Sequence, residues 1–203
     1  RLIRTLIFNL FPYPNRLRHL LPPLWFYQKS GLQQLVRRTG MLKKLTPRLA
    51  AMEAILPKVT DSSWRSDLPD VIPAKGVKRY RVGMVLGCVQ RLFFSPVNEA
   101  TARVLTANGC EVVIPPSQGC CAALPAHQGQ EEQAQALARQ MIDSFIDQDL
   151  DAIIINAAGC GHTLKEYGHI LADDPEYRAK AEQFSSKVKD VQEFLAEIKL
   201  TTE

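Results

Sequence analysis

Four of the chain's five cysteines follow short apolar segments, and a glycine precedes each of these cysteine positions. Residues 82–86 lead to Gly87 and Cys88, residues 112–114 lead through two prolines to Gly119, Cys120 and Cys121, and residues 152–155 lead to Gly159 and Cys160. Thiolates are good ligands for soft metals and for iron–sulfur clusters. Glycine allows the backbone to approach such a group closely. The pattern therefore predicts a metal or iron–sulfur site built from these four cysteines.

The elements that must position the cysteines are three strands separated by helices. Apolar residues recur at intervals of three and four in residues 97–105 and 134–146, which indicates two amphipathic helices. Strands that alternate with helices form a parallel sheet. The predicted fold class is α/β, with three layers and a mostly parallel sheet flanked by helices. Because the loops after parallel strands meet at one edge, we expect the four cysteines to converge there.

Three further helices are predicted over residues 162–171, 175–184 and 187–200, and Ser95 is the predicted N-cap of the helix that follows Cys88. Cys160 would then lie close to the amino end of the helix predicted over residues 162–171. A thiol at the amino end of a helix has a lowered pKa because the helix dipole stabilises the thiolate.

Other chemistry has less support from the residues. Zinc is an alternative occupant of the four thiolates, but structural zinc sites usually contain C-x2–4-C pairs, which the chain lacks. No base can be assigned to Cys160 as a nucleophile, and no G-x-G-x-x-G follows the first strand. Cys110 is interpreted as a buried apolar side chain. His162 is interpreted as a solvent-facing histidine, with cluster ligation as its alternative.

The charge of the chain is divided unevenly. Residues 1–60 contain eleven Lys or Arg and one acid, Glu53, whereas the remainder contains fourteen bases and twenty acids. We expect three parts: a helical basic and apolar arm over 1–60, a linker over 61–78 and an α/β domain over 79–203. Five cysteines, two of them adjacent, do not suit a disulfide framework and favour a reducing compartment.

The basic arm has two interpretations. Prolines interrupt its apolar stretches, so it is predicted to be neither a membrane-spanning helix nor a signal peptide. Its aromatic residues and arginines suit a segment that lies on an anionic membrane or on an acidic partner. The alternative is an ordinary helical linker packed on its own domain. We expect protein or membrane partners and no nucleic acid.

The spacing Cys88-x31-Cys120-Cys121-x38-Cys160 resembles that of the cysteine-rich CCG domain family. Iron–sulfur subunits of heterodisulfide reductase, lactate-utilisation and glycolate oxidase systems carry this domain. The segments GCVQRLFFSPVNEATARVL, GCCAALPAHQGQEEQA and AAGCGHTLKEYGHIL are most similar to the glycolate oxidase (glycolate dehydrogenase) group. The resemblance extends over residues 78–195.

This resemblance implies an iron–sulfur cluster of the [4Fe–4S] type, held by the four cysteines, in an electron-transfer subunit. In the family, FAD-containing partner subunits oxidise glycolate to glyoxylate, and the iron–sulfur subunit passes the electrons toward a membrane quinone. No residue of this chain would then contact glycolate. The implied location is the cytoplasm, at the inner face of the membrane. Members also carry ferredoxin motifs and a second CCG module, so the chain is expected to be the middle of a longer subunit.

The chain departs from the family pattern at two positions. Ala122 replaces the glycine of CCG, and Thr163 stands where a fifth cysteine is expected. A cluster with five thiolates is therefore in doubt, and one cluster on four cysteines, or one shared with a second module, is the better expectation. Two alternatives stay open: a related subunit for lactate, glycerol 3-phosphate or heterodisulfide, and a non-redox interaction module.

Overall fold

The protein is built around a five-stranded sheet with the strand order β1-β3-β2-β4-β5. The computed structural model describes residues 2–64 and 68–200, with side chains from Leu6 onward. The strands are β1 Val71–Ile72, β2 Tyr80–Met84, β3 Cys110–Val113, β4 Ala152–Ile155 and β5 Val188–Asp190. β1 is antiparallel to β3, and the other neighbouring pairs are parallel. The predicted fold class is confirmed.

Eight helices of the described residues accompany the sheet. They are α7 Gln90–Phe93, α8 Ser95–Ala107, α9 Ala123–Ala126, α10 Glu131–Phe145, α11 Ala158–Lys165, α12 Tyr167–Ile170, α13 Arg178–Lys187 and α14 Val191–Glu197. Side chains of α10, α12 and α13 cover one side of the sheet, which we call the α10 face. Side chains of α8 and α14 cover the other side, the α8 face. Helices on both sides give the three predicted layers.

Alternation along the strands explains why both faces are apolar. Val82 and Met84 of β2 pack toward the α8 face, whereas Val85, just after the strand, packs toward the α10 face. Period-two alternation in a sheet that is covered on both sides produces continuous apolar segments. Gly83 leaves room for α10, because a Cβ atom there would lie 2.8 Å from the Phe145 ring.

The amino-terminal part of the chain is helical. Its helices, which together we call the arm, are α1 Leu2–Leu10, α2 Pro14–Arg18, α3 Leu21–Lys29, α4 Leu32–Thr39, α5 Met41–Leu45 and α6 Pro47–Ala54. The buried side chains of Leu17 and Leu21 pack on Leu92 of α7 and on Val59, so the arm rests on the sheet region. None of the described helices is both long and apolar enough to cross a bilayer.

Several predicted boundaries are wrong. The predicted helix over 187–200 begins instead with β5, because Val188 to Asp190 pair with β4. The predicted helix over 162–171 is two short helices, α11 and α12, and Ser95 lies inside α8, whose N-cap is Phe94. The predicted linker 61–78 contains β1. Residues 65–67 of that linker, and the end of the predicted domain after residue 200, lie outside the described residues.

Candidate metal centre

The three loops that carry cysteine leave neighbouring parallel strands at the same edge of the sheet. β2 pairs with both β3 and β4, so its loop lies between the other two. Cys88 follows β2, Cys120 and Cys121 follow β3, and Cys160 lies in the first turn of α11 after β4. Parallel strands with helical crossovers place these loops together at their carboxyl ends.

The four thiols form a chain of side-chain contacts. Cys88 shares a hydrogen bond with Cys120, Cys120 with Cys121, and Cys121 with Cys160. The sulfur atoms therefore lie in one small group, which we call the four-cysteine site. All five cysteines are free of disulfides. Ligation of a metal by these four residues stays a prediction.

Protons are distributed unevenly over the four-cysteine site. Hydrogen bonds from Cys120 and Cys160 hold the pKa of Cys121 well below its ordinary value, and the bond from Cys120 lowers the pKa of Cys88. The pKa values of Cys120 and Cys160 are raised, first by their hydrogen bonds to the Cys121 thiolate. The expectation that the helix dipole lowers the pKa of Cys160 is therefore wrong. Lowered and raised pKa values therefore alternate along the four cysteines, and metal binding would release their protons.

The site is buried on one side and accessible on the other. The side chains of Cys120 and Cys121 are buried, whereas Cys88 and Cys160 are partly exposed. No group of three or more His, Cys, Asp or Glu within residues 2–64 and 68–200 is arranged around a single metal ion. The chain also lacks the C-x2–4-C pairs that structural zinc sites usually contain.

The loop after Cys121 has an unusual backbone conformation. Ala122 has a φ of 64°, in the left-handed region, and is completely buried. This conformation favours glycine and costs other residues about 1–2 kcal/mol. Ala122, which stands where the CCG pattern has glycine, therefore adopts a conformation that glycine would take without this cost. At Gly159 a larger side chain would fit, because a Cβ atom there would meet nothing within 4 Å. The prediction that glycine is needed there for a close approach of the backbone to a cluster is therefore not supported.

Buried amide side chains tie the three loops together. Gln118 accepts a hydrogen bond from the Leu86 backbone N–H at 2.8 Å and donates to the Met84 carbonyl at 3.2 Å. The loop that carries Cys120 is thus held against the end of β2. Asn98 of α8 donates to the Leu86 carbonyl at 3.0 Å, so the same strand end is held from the α8 face.

A second set of amides connects β2 to β4. Gln90 donates to Asn98 and to Asn156, and Asn156 donates to Asn98 at 3.1 Å and to the Thr101 hydroxyl at 2.8 Å. Asn156 directly follows β4, so it connects the loop of Cys160 to that of Cys88. The sequence interpretation missed these amides. Their signal was the placement of polar residues directly after predicted buried strands.

Tyr167 on α12 is the other residue that the sequence interpretation missed. Its side chain is completely buried on the α10 face together with Cys120 and Cys121. Burial, and then the charges of Cys121, Cys120 and Cys160, raise the pKa of its hydroxyl well above the ordinary value. The hydroxyl has no hydrogen-bond partner in the described part of the chain. In sequence, Tyr167 is indistinguishable from an ordinary core aromatic residue.

The remaining candidates lie apart from the four-cysteine site or are already bonded. Cys110 is buried on the α8 face, and burial raises the pKa of its thiol to about 11, which agrees with an apolar role. His162 is exposed, and its ring stacks on that of His127 at a centroid distance of 6.5 Å. Thr163 is buried, and its hydroxyl donates to the Gly159 carbonyl at 3.3 Å.

The donor set fits an iron–sulfur cluster. All four donors are sulfur atoms, and the pKa values of Cys88 and Cys121 are lowered, which favours the thiolate form that ligates metal. Iron–sulfur clusters use such thiolates and are stabilised by hydrogen bonds to sulfur.

Two family comparisons match the two parts of the chain. Residues 1–56 match the family described as glycolate oxidase iron–sulfur subunit, linker region. Residues 82–165 match the family described as cysteine-rich domain, CCG. The second match contains all four residues of the four-cysteine site. No solved structure is significantly similar to the chain.

Curated relatives extend both matches. A probable glycolate oxidase iron–sulfur subunit of Bacillus subtilis (strain 168) is 43% identical over 96% of this chain and 44% of its own length. The glycolate oxidase iron–sulfur subunit of Escherichia coli (strain K12) is 34% identical over 83% of this chain and 42% of its own. Lactate utilization protein A of Geobacillus kaustophilus (strain HTA426) is 31% identical over 58% of this chain and 48% of its own length. The chain thus spans less than half the length of these relatives.

Proposed function

Because the chain belongs to the CCG cysteine-rich-domain family and carries the linker region of glycolate oxidase iron–sulfur subunits, we propose that it binds an iron–sulfur cluster and transfers electrons in such a subunit. The cluster is of the [4Fe–4S] type, and its ligands are Cys88, Cys120, Cys121 and Cys160. When bound, the cluster accepts and releases one electron at a time.

The observation that carries this proposal is the contact of four thiols from three separate loops. Cysteines that serve only as apolar core residues are not expected to lie next to one another. Cys110 is such a residue, and it lies on the opposite face of the sheet. The chain's own residues hold the sulfur atoms in place, keep water from Cys120 and Cys121, and leave Cys88 and Cys160 partly accessible. The accessible side is where an electron donor or acceptor would approach.

The proposed place of the chain is within a larger complex. Oxidation of glycolate to glyoxylate releases two electrons and two protons, which FAD on a partner subunit takes up. The electrons then leave singly through the iron–sulfur subunit toward a membrane quinone. Support comes from the names of the relatives, which are subunits of glycolate oxidase. In this proposal the chain contains no residue that contacts the substrate.

The surface of the arm supports a proposed location in the cytoplasm, on the inner face of the membrane. Phe26, Leu45 and Ile55 are 63%, 67% and 81% exposed, and residues 1–60 carry ten net positive charges. Apolar side chains among basic ones suit the surface of an anionic bilayer. Sedimentation with lipid vesicles tests this location. The full chain is expected to sediment with vesicles that contain anionic lipids and not with vesicles of neutral lipids only. Binding to both kinds of vesicle, or to neither kind, contradicts the proposal.

The cluster proposal is tested by anaerobic reconstitution of the full chain with ferrous iron and sulfide. The wild type is expected to retain about four iron and four sulfide per chain, the content of one [4Fe–4S] cluster, and to give an EPR signal after reduction. Cys121→Ala is expected to lose both. Cys110→Ala is the matched control, because it removes a buried thiol from the other face, and it is expected to retain both. A wild type without bound iron contradicts the proposal.

The substrate is tested in the assembled complex. Addition of glycolate is expected to reduce the cluster, as measured by EPR, in a preparation that contains a flavoprotein partner. Reduction by lactate, but not by glycolate, would favour the alternative of a lactate system, for which the similarity to lactate utilization protein A is the supporting observation. A chain that binds partners and never binds iron would instead be a non-redox interaction module.

A further inference from the structure

The hydroxyl of Tyr167 is a buried polar group on the α10 face, the face on which Cys120 and Cys121 are also buried. Its oxygen has no hydrogen-bond partner among the described residues, although the side chain is completely buried. Buried hydroxyls are nearly always hydrogen-bonded, because leaving one unpaired is unfavourable. The missing partner is therefore expected to be something that the polypeptide itself does not supply.

The position of the ring is fixed. Tyr167 stacks on Phe184 with a centroid distance of 5.4 Å and an interplanar angle of 21°. Both rings belong to the apolar layer that also contains Cys120, Cys121 and Leu164. An aromatic ring that is held by stacking and close packing cannot turn its hydroxyl toward solvent.

The surroundings of the hydroxyl indicate which kind of acceptor it meets. The cysteines whose charges act on it are Cys121, Cys120 and Cys160, three of the four residues of the site. The hydroxyl is a donor that keeps its proton, and no cysteine sulfur meets it as an acceptor in the described residues. A sulfide of a cluster held by these cysteines is the acceptor that would complete its bonding. Phe184 and the other apolar neighbours offer no alternative acceptor.

We propose that Tyr167 donates a hydrogen bond to a sulfide of the cluster that the four-cysteine site would hold and thereby raises the reduction potential of that cluster. This inference rests on the proposed function, since it concerns the same site. One-electron reduction adds one negative charge to the cluster, and a hydrogen bond to sulfur stabilises that added charge. The proton remains on the tyrosine, and no bond is broken. Tyr167 thus acts as a positioning and tuning residue rather than as a ligand.

The test compares Tyr167→Phe with the wild type in the reconstituted full chain. Iron and sulfide contents are expected to be equal, because the ring is retained. In a redox titration with dithionite followed by EPR, the variant is expected to have a more negative midpoint potential. Equal midpoint potentials in two proteins with equal iron contents would overturn the inference and leave the proposed function intact.

Tyr177→Phe is the matched control. This tyrosine is also packed against the α10 face, but its hydroxyl donates to Asp143 at 2.9 Å and is therefore already satisfied. The control is expected to have the midpoint potential of the wild type. A shift of the same size in both variants would overturn the inference, because it would reflect a general loss of packing or polarity.

A measurement on the wild type keeps the inference testable if Tyr167→Phe binds less iron. Exchange of the protein into heavy water is expected to remove a proton coupling to the reduced cluster in electron–nuclear double resonance, and Tyr167→Phe is expected to lack that coupling in whatever fraction is loaded. Absence of an exchangeable coupled proton in the loaded wild type would overturn the inference. Absence of any cluster in the wild type would overturn the proposed function itself.

Discussion

The arm and the sheet region contain similar apolar residues but bury them to different extents. Met141, Ile142 and Ile154 of the sheet region are fully buried, whereas Phe26, Leu45 and Ile55 of the arm are more than half exposed. A sheet covered on both faces encloses side chains from two directions. Helices of five to nine residues enclose much less and are marginal without tertiary contacts. The comparison teaches that the sheet region forms its own core and that the arm depends on what it rests against.

Polar interactions differ between the two regions in the same way. In the arm, the Glu53 carboxylate accepts hydrogen bonds from Gln33 at 2.9 Å and from Arg37 at 3.0 Å, and so connects α4 to α6. Burial acts to raise the pKa of Glu53, but the bonds from Arg37 and Gln33 outweigh it and the pKa is lowered. Near the four-cysteine site, by contrast, neutral amides such as Asn98 are buried. Exposed ion pairs contribute little to stability, whereas buried amides are costly to leave unpaired.

The largest expected effect is the loss of a buried aromatic side chain. Phe145→Ala should lower the free energy of unfolding by about 3–5 kcal/mol, because Phe145 is 2% exposed and packs on Phe184. Phe26→Ala in the arm is the control and should cost less than about 1 kcal/mol. Urea unfolding of the full chain measures both. Equal losses would mean that the arm has as complete a core as the sheet region.

The next effect concerns the contact between the two regions. Leu21→Ala should cost about 2–3 kcal/mol, because Leu21 is 2% exposed and packs on Leu92. Hydrogen exchange should show the loss in the amides of α3 and much less in β2. Leu20→Ala is the control, because Leu20 is 38% exposed. A uniform loss of protection over the chain would show that the arm and the sheet unfold as one unit.

A smaller effect is expected from the amides that join the cysteine loops. Asn98→Ala should cost about 1–2 kcal/mol, because it removes the hydrogen bond to the buried Leu86 carbonyl and the acceptor of one Asn156 N–H. It should also broaden the EPR signal of the loaded protein. Glu53→Gln in the arm is the counterpart and should cost less than about 1 kcal/mol. If Glu53→Gln costs more than Asn98→Ala, the contrast between the two polar networks is wrong.

The smallest effects compare one backbone conformation in the two regions. Gly40 between α4 and α5 has a φ of 62°, and a Cβ atom there would meet nothing, so Gly40→Ala should cost about 1 kcal/mol from the backbone alone. Ala122→Gly should change stability by less than about 1 kcal/mol, because relief of the left-handed alanine is offset by loss of a buried methyl group. Thermal unfolding measures both. A large destabilisation by Ala122→Gly would show that this methyl group contributes more than its burial predicts.

The sequence predicted the central elements well because their patterns are local. β4 and α10 lie within about two residues of the predicted segments, since continuous apolar segments and helical spacing are visible without tertiary information. β1 and β5 were not predicted, because two or three residues are too few to show a period and become strands only by pairing with β3 and β4. The predicted helix over 187–200 failed for the same reason.

The sequence predicts that the four cysteines lie together, but it predicts nothing about the residues that surround them. The order of strand, glycine and cysteine is enough to predict that Cys88, Cys120 and Cys160 leave the same edge of a parallel sheet. The pKa order was not predictable, because it depends on which thiol donates to which, and Cys160 has a raised pKa although it lies near a helix amino end. Gln118 and Asn156 were missed because amides after strands are common in loops.

By itself, the sequence determined the α/β class, the division into a basic arm and a mildly acidic remainder, and the set of four cysteines. These follow from composition and from short periodic patterns, which each segment carries independently of its neighbours. Only the tertiary structure decided that lowered and raised pKa values alternate along the four cysteines, that amides join the loops, and that the buried Tyr167 hydroxyl has no hydrogen-bond partner among the described residues. Those properties depend on contacts between residues that are distant in sequence, and such contacts exist only after the chain has folded.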